Sequence, residues 1–283
     1  MNANHIKTVF LLGLMSGLFL FMGYLLGGQM GVVIALVLSI GMNFYAYFQS
    51  DKYVLKAHQA IPLDPIKYKQ IYQLVEELAS EYKIPMPKLW LIPTNTANAF
   101  ATGRNPEHSH VAVTEGILKI LNQRELRGVL AHELGHISNR DILISTIAVT
   151  LAGAIGILAY SMRFQAMTRS RERGGGLAAL LIALILPVAA SIIHLGISRS
   201  REYLADESGA CVSEDPLALA SALEKLEASI QQTQPVPKSS AQATTASLFI
   251  VYPFSAKTLN HLFSTHPPME ERIARLKEMA RRY

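Results

Sequence analysis

Four long apolar segments constrain the fold of this chain more than any other feature of its sequence. They cover residues 6–26, 32–48, 142–162 and 177–197. Each approaches or exceeds the roughly 20 predominantly apolar residues that an α-helix needs to cross the hydrocarbon layer of a membrane. Asp, Glu, Lys and Arg are absent inside these segments, apart from Lys7 near the edge of the first. The pattern predicts a mainly α membrane protein with four transmembrane helices in two hairpins.

The hairpins divide the chain into alternating parts. Residues 1–48 and 142–197 are predicted as the hairpins, and residues 49–141 and 198–283 as two parts of one soluble domain. Lys and Arg accumulate in the cytoplasmic loops of membrane proteins. The first hairpin loop has none, whereas four lysines follow the second segment: Lys52, Lys56, Lys67 and Lys69. We therefore expect the N-terminus and the soluble domain in the cytoplasm.

The second hairpin fits this orientation less well. The loop between its two apolar segments carries Arg163, Arg169, Arg171 and Arg173, yet full crossing would place that loop on the outside. Either the first hairpin dominates the orientation or the second does not cross the membrane fully. We favour full crossing.

Composition excludes several other classes of protein. Half of the residues (50%) are apolar and 17% are charged, below the quarter or so that is typical of soluble domains. The net charge of +5 suits an anionic membrane surface, but the basic residues form no stripe with interleaved aromatics, so we expect no nucleic-acid partner. Cys211 is the only cysteine, which rules out an intrachain disulfide. The first apolar segment is too long for a typical signal peptide and predicts a retained anchor.

The soluble parts predict a small α+β domain. Helical patterns cover residues 64–82, 114–137, 198–212 and 215–230, and 266–282 form an amphipathic helix with a charged outer face. The segments "KLWLIP", "NAFATG" and "HVAVT" read as strands. The Gln-, Ser- and Thr-rich residues 231–247 predict a mobile loop.

The chemistry of the chain centres on "HELGH", residues 132–136. His132 and His136 are four residues apart, so on a helix they share a face and can converge on one metal ion. Glu133 lies beside them, where it can activate a metal-bound water as general base. Incidental histidines on a surface helix are the alternative, but the apolar residues of this helix indicate that it is packed.

A catalytic zinc site keeps three protein ligands and one open position. Glu202 is the strongest candidate for the third ligand. The "HELGH" helix ends where the second hairpin begins, and the helix of Glu202 begins where that hairpin ends. The hairpin therefore returns the chain to the side of the membrane that it left. Asp206, one turn further on, can accept a hydrogen bond from a ligand histidine. A solvated acidic helix face is the alternative. The other histidines considered as a third ligand are better explained by positions in loops or by helix packing than by metal binding: His5, His58, His108, His110 and His194.

The motifs "HELGH", "NAFATG", "REYLAD" and "STHPP", in this order with the two hairpins, resemble bacterial membrane zinc metalloproteases of the HtpX type. CAAX prenyl endopeptidases are more distant relatives. The resemblance implies a gluzincin-type endopeptidase of the inner membrane, with one Zn²⁺ per chain and its active site facing the cytoplasm, which cleaves damaged or misfolded membrane proteins. It makes His132, His136 and Glu202 the zinc ligands and Glu133 the catalytic residue, with Asp206 supporting a ligand.

The same resemblance implies roles for two further residues. Asn98 begins "NAFATG", which corresponds to an edge strand beside the cleft, where an extended substrate could add as another strand. His266, in "STHPP", would stabilise the oxyanion of the tetrahedral intermediate. A helix-entry turn set by Pro267 and Pro268 is the alternative for His266.

Three other functions remain open from the sequence. A site-specific processing protease is one, although the chain has too few spans for the seven-helix chamber of the CAAX enzymes. A zinc-stabilised membrane chaperone or adaptor is disfavoured by Glu133, because a structural site needs no base. A transporter fits poorly, since the spans lack the ionisable residues that mark a transport pathway. The sequence specifies neither the substrates nor the oligomeric state.

Overall fold

The computed structural model describes residues 3–168, 192, 198–254 and 267–282. In these parts the helices are α1 (Ala3–Ala57), α2 (Lys69–Glu81), α3 (Glu115–Ile120), α4 (Gln123–Ser138), α5 (Ile142–Thr168), α6 (Arg199–Ser213), α7 (Pro216–Thr233), α8 (Ser240–Thr245) and α9 (Met269–Ala280). The strands are β1 (Ile61–Pro62), β2 (Lys88–Ile92), β3 (Ala99–Gly103) and β4 (Ser109–Thr114). The fold is therefore mostly helical with one small sheet, as predicted.

α1 is a hairpin of two apolar arms. It breaks at Gly27 and Gly28, and Gly28 has a φ of +56°, which glycine adopts without the steric cost of a Cβ. The arms, Ile6–Tyr24 and Gly27–Ala57, are both long and apolar enough to cross a membrane. The predicted first hairpin is thus present.

The surface of the second arm is apolar. Large side chains that point outward include Val37, 66% exposed, and Ile40, 62% exposed. Phe48, close to the end of the apolar run, contacts the rings of Phe44 and Tyr47. A contiguous exposed apolar surface marks a membrane or protein contact, and aromatic residues concentrate where a membrane meets water. This arm therefore has the surface expected of a helix in lipid.

The second predicted hairpin is described only in part. Its first segment is a helix, α5, which is buried on all sides from Ile142 to Ala152 by α1, α8 and β3. Its second segment, residues 177–197, lies outside the described residues except for Ile192. Within the described chain, the two arms of α1 pass the length and composition test for a span. Crossing by the second hairpin stays a prediction.

The sheet separates the soluble core from the base of the apolar helices. Its strand order is β1-β2-β4-β3, with β2 and β4 parallel and the other pairs antiparallel. Side chains alternate along each strand: Leu89 and Leu91 pack in the core with α2, α4 and α7, whereas Trp90 and Ile92 pack against α1 and α5. The predicted "NAFATG" strand is confirmed as β3, and it lies at an edge of the sheet.

The prediction of a mobile loop over residues 231–247 was wrong for most of this range, and only residues 234–239 lie between helices. α7 extends to Thr233, and α8 begins after Ser239, whose hydroxyl accepts a hydrogen bond from the Gln242 N–H at 3.1 Å. α8 packs against α5, where Thr245 and Ala246 are fully buried. Small Ala and Thr side chains that resemble a polar linker in sequence here fill a close helix–helix contact.

Candidate metal centre

α4 carries "HELGH" through the centre of the soluble core. A capping box fixes where it begins: the Asn122 side chain accepts from the Glu125 N–H at 3.0 Å, and Glu125 accepts from the Asn122 N–H at 2.9 Å. This start sets which face of the helix points inward. His132 and Glu133 are almost completely buried, at 0% and 1% exposure.

α6 lies against α4 at very short range. Its residues Glu202, Asp206 and Gly209 recur at helical spacing and share one buried face. A Cβ at Gly209 would lie 2.8 Å from the His132 backbone nitrogen, so only glycine permits this approach. The close crossing brings both carboxylates to the α4 histidines, as the sequence predicted.

Three donor atoms meet between these helices. The Nε2 atoms of His132 and His136 lie 3.2 Å apart. Glu202 Oε1 is 3.5 Å from His136 Nε2, and Glu202 Oε2 is 3.9 Å from His132 Nε2. The three residues that the sequence predicted as metal ligands therefore converge on one point.

Carboxylates hold both imidazole rings from behind. His132 Nδ1 lies 2.9 Å from Asp206 Oδ1, and His136 Nδ1 lies 3.5 Å from Asp141 Oδ2. A carboxylate at Nδ1 favours a proton on that nitrogen and leaves the Nε2 lone pair free to bind a metal. Two Nε2 lone pairs then face each other, an arrangement that a cation between them stabilises.

Burial and neighbouring charge shift the pKa values of the two histidines in opposite directions. Burial lowers the pKa of His132 to about 4, so its ring is neutral near pH 7. Burial would also lower the pKa of His136, but its Asp141 hydrogen bond and the Glu202 and Glu133 carboxylates outweigh it and raise the pKa to about 9. A proton and a metal ion therefore compete for His136.

Glu133 faces a small cavity beside the donor atoms. Burial, with the nearby Glu202 charge, raises the pKa of its carboxyl to about 7. Its Oε1 atom has no hydrogen-bond partner among the described residues. The cavity lining also includes Ala101, Ser247 and Leu248. A carboxyl with this pKa is suited to accept and return a proton near neutral pH.

Comparison with known proteins identifies the family. The model of peptidase family M48 matches residues 65–280. The chain belongs to peptidase family M48. It is 50% identical to a "Protease HtpX homolog" of Persephonella marina over 98% of each chain. A second "Protease HtpX homolog", from Desulforapulum autotrophicum, is 49% identical over 97% of this chain and 89% of that one. The HtpX-type resemblance is confirmed.

A solved structure shares the fold of this M48 peptidase. The crystal structure of S. mikatae Ste24p aligns with a TM-score of 0.50 at 17% identity, over 96% of this chain and 65% of that one. At this identity the likeness concerns the fold alone. The family, its HtpX relatives and the apolar arms of α1 support a membrane metalloprotease.

The converging donors fit a small divalent ion. Bonds of about 2.0–2.1 Å to a tetrahedral zinc ion place its ligand atoms roughly 3.3 Å apart. The separations of 3.2 and 3.5 Å match this spacing, and the separation of 3.9 Å needs only a small rotation of the Glu202 carboxylate. Two imidazoles and one carboxylate are also ligands that zinc prefers.

A buried arginine supports the site, and the sequence reasoning missed it. Arg272 is fully buried and donates two hydrogen bonds to Asp206, at 2.8 and 2.7 Å. Its guanidinium also lies 3.8 Å from Glu202 and donates to the Ile250 carbonyl at 2.8 Å. Arg272 thus neutralises Asp206 and links α9 to the metal-binding residues. In the sequence it looks like one of several charges on the outer face of that helix.

Asn98 is buried just before β3 and its side chain bonds to the protein itself, so its role in binding substrate stays a prediction. Its amide donates to the Val251 carbonyl at 2.6 Å, and its side-chain oxygen is 3.3 Å from the Val251 N–H that donates to it. Next to it, the Ile250 N–H donates to the Ala99 carbonyl at the start of β3. A substrate could contact this amide only if residues 246–251 moved away from it.

Among the histidines whose side chains the structure describes, His58, His108 and His110 are not part of the cluster. His266 lies outside the described residues, so its predicted role stays a prediction. His58 is buried against Thr245, with its Nε2 2.9 Å from the Thr245 hydroxyl. His110 is buried near Trp90, and His108 is exposed. The side chains of His5 and His194 are outside the described part.

The Asp206–Arg272 pair predicts strong energetic coupling. Arg272→Met leaves a buried carboxylate without its partner and should lower the free energy of unfolding by about 3–5 kcal/mol. The double variant Asp206→Asn/Arg272→Met should lose less than the sum of the single losses, by at least about 1 kcal/mol. Denaturant unfolding in detergent measures all four proteins of the cycle.

The exposed pair Glu224–Lys277 is the matched control, with a contact of 2.7 Å. Removing it should cost under about 1 kcal/mol, because solvent screens its charges. Strictly additive losses at Asp206 and Arg272 would contradict the pairing.

Proposed function

We propose that this membrane metalloprotease is a zinc-dependent endopeptidase of the inner membrane that degrades damaged or misfolded membrane proteins, with its active site facing the cytoplasm. The observation that carries the proposal is the convergence of His132, His136 and Glu202 beside a buried Glu133. The proposal includes four spans in two hairpins, of which the α1 hairpin is present.

The chain supplies the groups that peptide hydrolysis needs. Bound zinc would polarise the scissile carbonyl and acidify a water molecule. Glu133 takes the proton of the attacking water and returns it to the leaving amine, which its pKa of about 7 allows. Asp206 and Asp141 hold the two imidazoles in the orientation that exposes Nε2. His266 is proposed to stabilise the oxyanion.

The edge position of β3 suits extended substrates. β3 pairs with β4 on one side, and its Ala101 N–H is directed at Glu133 on the catalytic side. A peptide added to this edge is bound through its backbone, with side-chain pockets giving only secondary preference. Backbone recognition favours unfolded chains of varied sequence, and we propose Asn98 at the entrance to this edge. This supports quality control over site-specific processing.

A non-cleaving zinc-stabilised chaperone is the other candidate from the sequence. A structural zinc site is closed by four protein ligands and needs no base. Among the described residues three donors converge, and a buried carboxyl of raised pKa lies beside them. This arrangement favours catalysis.

Replacing Glu133 tests the proposed reaction directly. Glu133→Gln should reduce cleavage of an unfolded membrane protein by at least about 10²–10⁴-fold, because the general base is lost. Zinc content should stay at the wild-type level, since the ligands are intact. Cleavage is followed by gel assay in detergent and zinc by atomic absorption.

Glu207→Gln is the matched control, because Glu207 is exposed on α6 and does not line the cavity. It should keep full activity. Wild-type cleavage by highly purified Glu133→Gln protein would contradict the mechanism.

The single cysteine tests the proposed orientation. Cys211 is exposed on α6, in the same helix as Glu202. A membrane-impermeant maleimide should label it in inverted inner-membrane vesicles but not in intact spheroplasts. Labelling after detergent lysis of the spheroplasts controls for reactivity, and a Cys211→Ser variant controls for specificity. Labelling in intact spheroplasts would place the active site on the outside.

A further inference from the structure

A second cleft lies beside the C-terminal end of α1, just after the apolar part of its second arm. Its volume is about 1010 Å³, and it is bounded by the end of α1 on one side and by β2 and the loop before β4 on the other. Phe48, Leu55, Met86 and Trp90 contribute its apolar wall. The cleft is on the α1 side of the sheet, away from the cavity of Glu133.

Four cationic side chains line this cleft. Lys52 and Lys56 follow Phe48 at intervals of four residues and so share its face of α1, while Lys88 begins β2 and Arg104 follows β3. Among the described residues, none of the four cations forms an ion pair with a carboxylate. Several cations elsewhere in the domain are paired, as Lys225 is with Glu125 at 2.8 Å and Arg127 with Glu77 at 3.1 Å. Unpaired cations around one cleft favour an anionic ligand.

The floor of the cleft is held by a hydrogen-bonded chain. The Trp90 indole donates to His110 Nδ1 at 2.9 Å, and His110 Nε2 lies 3.2 Å from Asp51 Oδ2. Asp51 is thereby engaged within the protein, and the other acidic residue of the lining, Glu107, is exposed. The Arg104 guanidinium lies 5.5 Å from the centre of the Phe48 ring, at the end of the cleft that Phe48 lines. The cleft is therefore preformed and predominantly positive.

We propose that this cleft binds the phosphate of an anionic phospholipid head group, with the acyl chains along the second arm of α1. Lys52 is four residues beyond Phe48, which is roughly 6 Å along the helix axis and within reach of a head group. Basic pockets beside membrane helices bind such head groups, and the exposed apolar side chains of this arm suit the acyl chains. The site depends on the membrane position of α1 and is independent of the metal centre.

Trp90 is the only tryptophan of the chain, so its fluorescence reports directly on the cleft. The full-length protein in a neutral detergent is titrated with dioctanoyl phosphatidylglycerol, dioctanoyl phosphatidylcholine or inorganic phosphate. Phosphatidylglycerol should change the Trp90 emission saturably and at the lowest concentration. An equal response to phosphatidylcholine would overturn charge recognition. A response to inorganic phosphate at the same concentration would assign the cleft to free phosphate and overturn the lipid.

Two matched triple variants separate the cleft from general electrostatic attraction. The first is Lys52→Gln/Lys56→Gln/Lys88→Gln, and the control is Lys69→Gln/Lys83→Gln/Lys238→Gln, at lysines that do not line the cleft. All six lysines are exposed and both variants lose the same charge, so both should keep the wild-type circular dichroism spectrum. The cleft variant should bind phosphatidylglycerol roughly a hundredfold more weakly, while the control stays within about threefold of wild type. Equal weakening of both variants would overturn the proposal, and the outcome does not depend on zinc or proteolysis.

Discussion

The facing Nε2 atoms of His132 and His136 are the constraint on which the site depends. Behind them lies a continuous buried chain of charge, from His132 through Asp206 to Arg272. Buried charges are costly unless each has a partner. Arg272 pairs with Asp206 and also lies 3.8 Å from Glu202, and the buried Glu133 carboxyl lies beside the two imidazoles. A divalent cation between the histidines would add positive charge where these carboxylates and the two Nε2 atoms converge.

Parts of the chain that are distant in sequence cooperate to build this arrangement. The close approach of α6 to α4 at Gly209 brings Glu202 and Asp206 into the site, and α9 contributes Arg272 from the C-terminal end. Arg272 also binds the Ile250 carbonyl, so the metal-binding residues are connected to the segment that lies over the start of β3. One side chain therefore links that segment to the residues that converge at the candidate metal site.

The sequence predicts the parts of this site that follow from local periodicity. The spacing of "HELGH" fixes two imidazoles on one helical face, and the predicted second hairpin is the reason to expect Glu202 beside them. Arg272 is different, because helical periodicity does not distinguish a buried, paired arginine from a solvated one. The same limit applies to residues 231–247, where polar composition predicts a loop, but capping by Ser239 and burial of Thr245 produce a packed helix. Tertiary contacts decide both cases.

X-ray absorption at the zinc edge of the purified protein tests the central claim most directly, because it reports on the atoms around the metal without requiring activity. The proposal predicts one zinc per chain with only nitrogen and oxygen neighbours at about 2.0–2.1 Å and the multiple-scattering signature of two imidazoles. Glu202→Gln should weaken zinc retention and change the oxygen contribution, while both imidazole signals persist. Two results would contradict the proposed centre. One is a sulfur neighbour at about 2.3 Å, such as Cys211, the single cysteine, could supply. The other is the signature of a single imidazole.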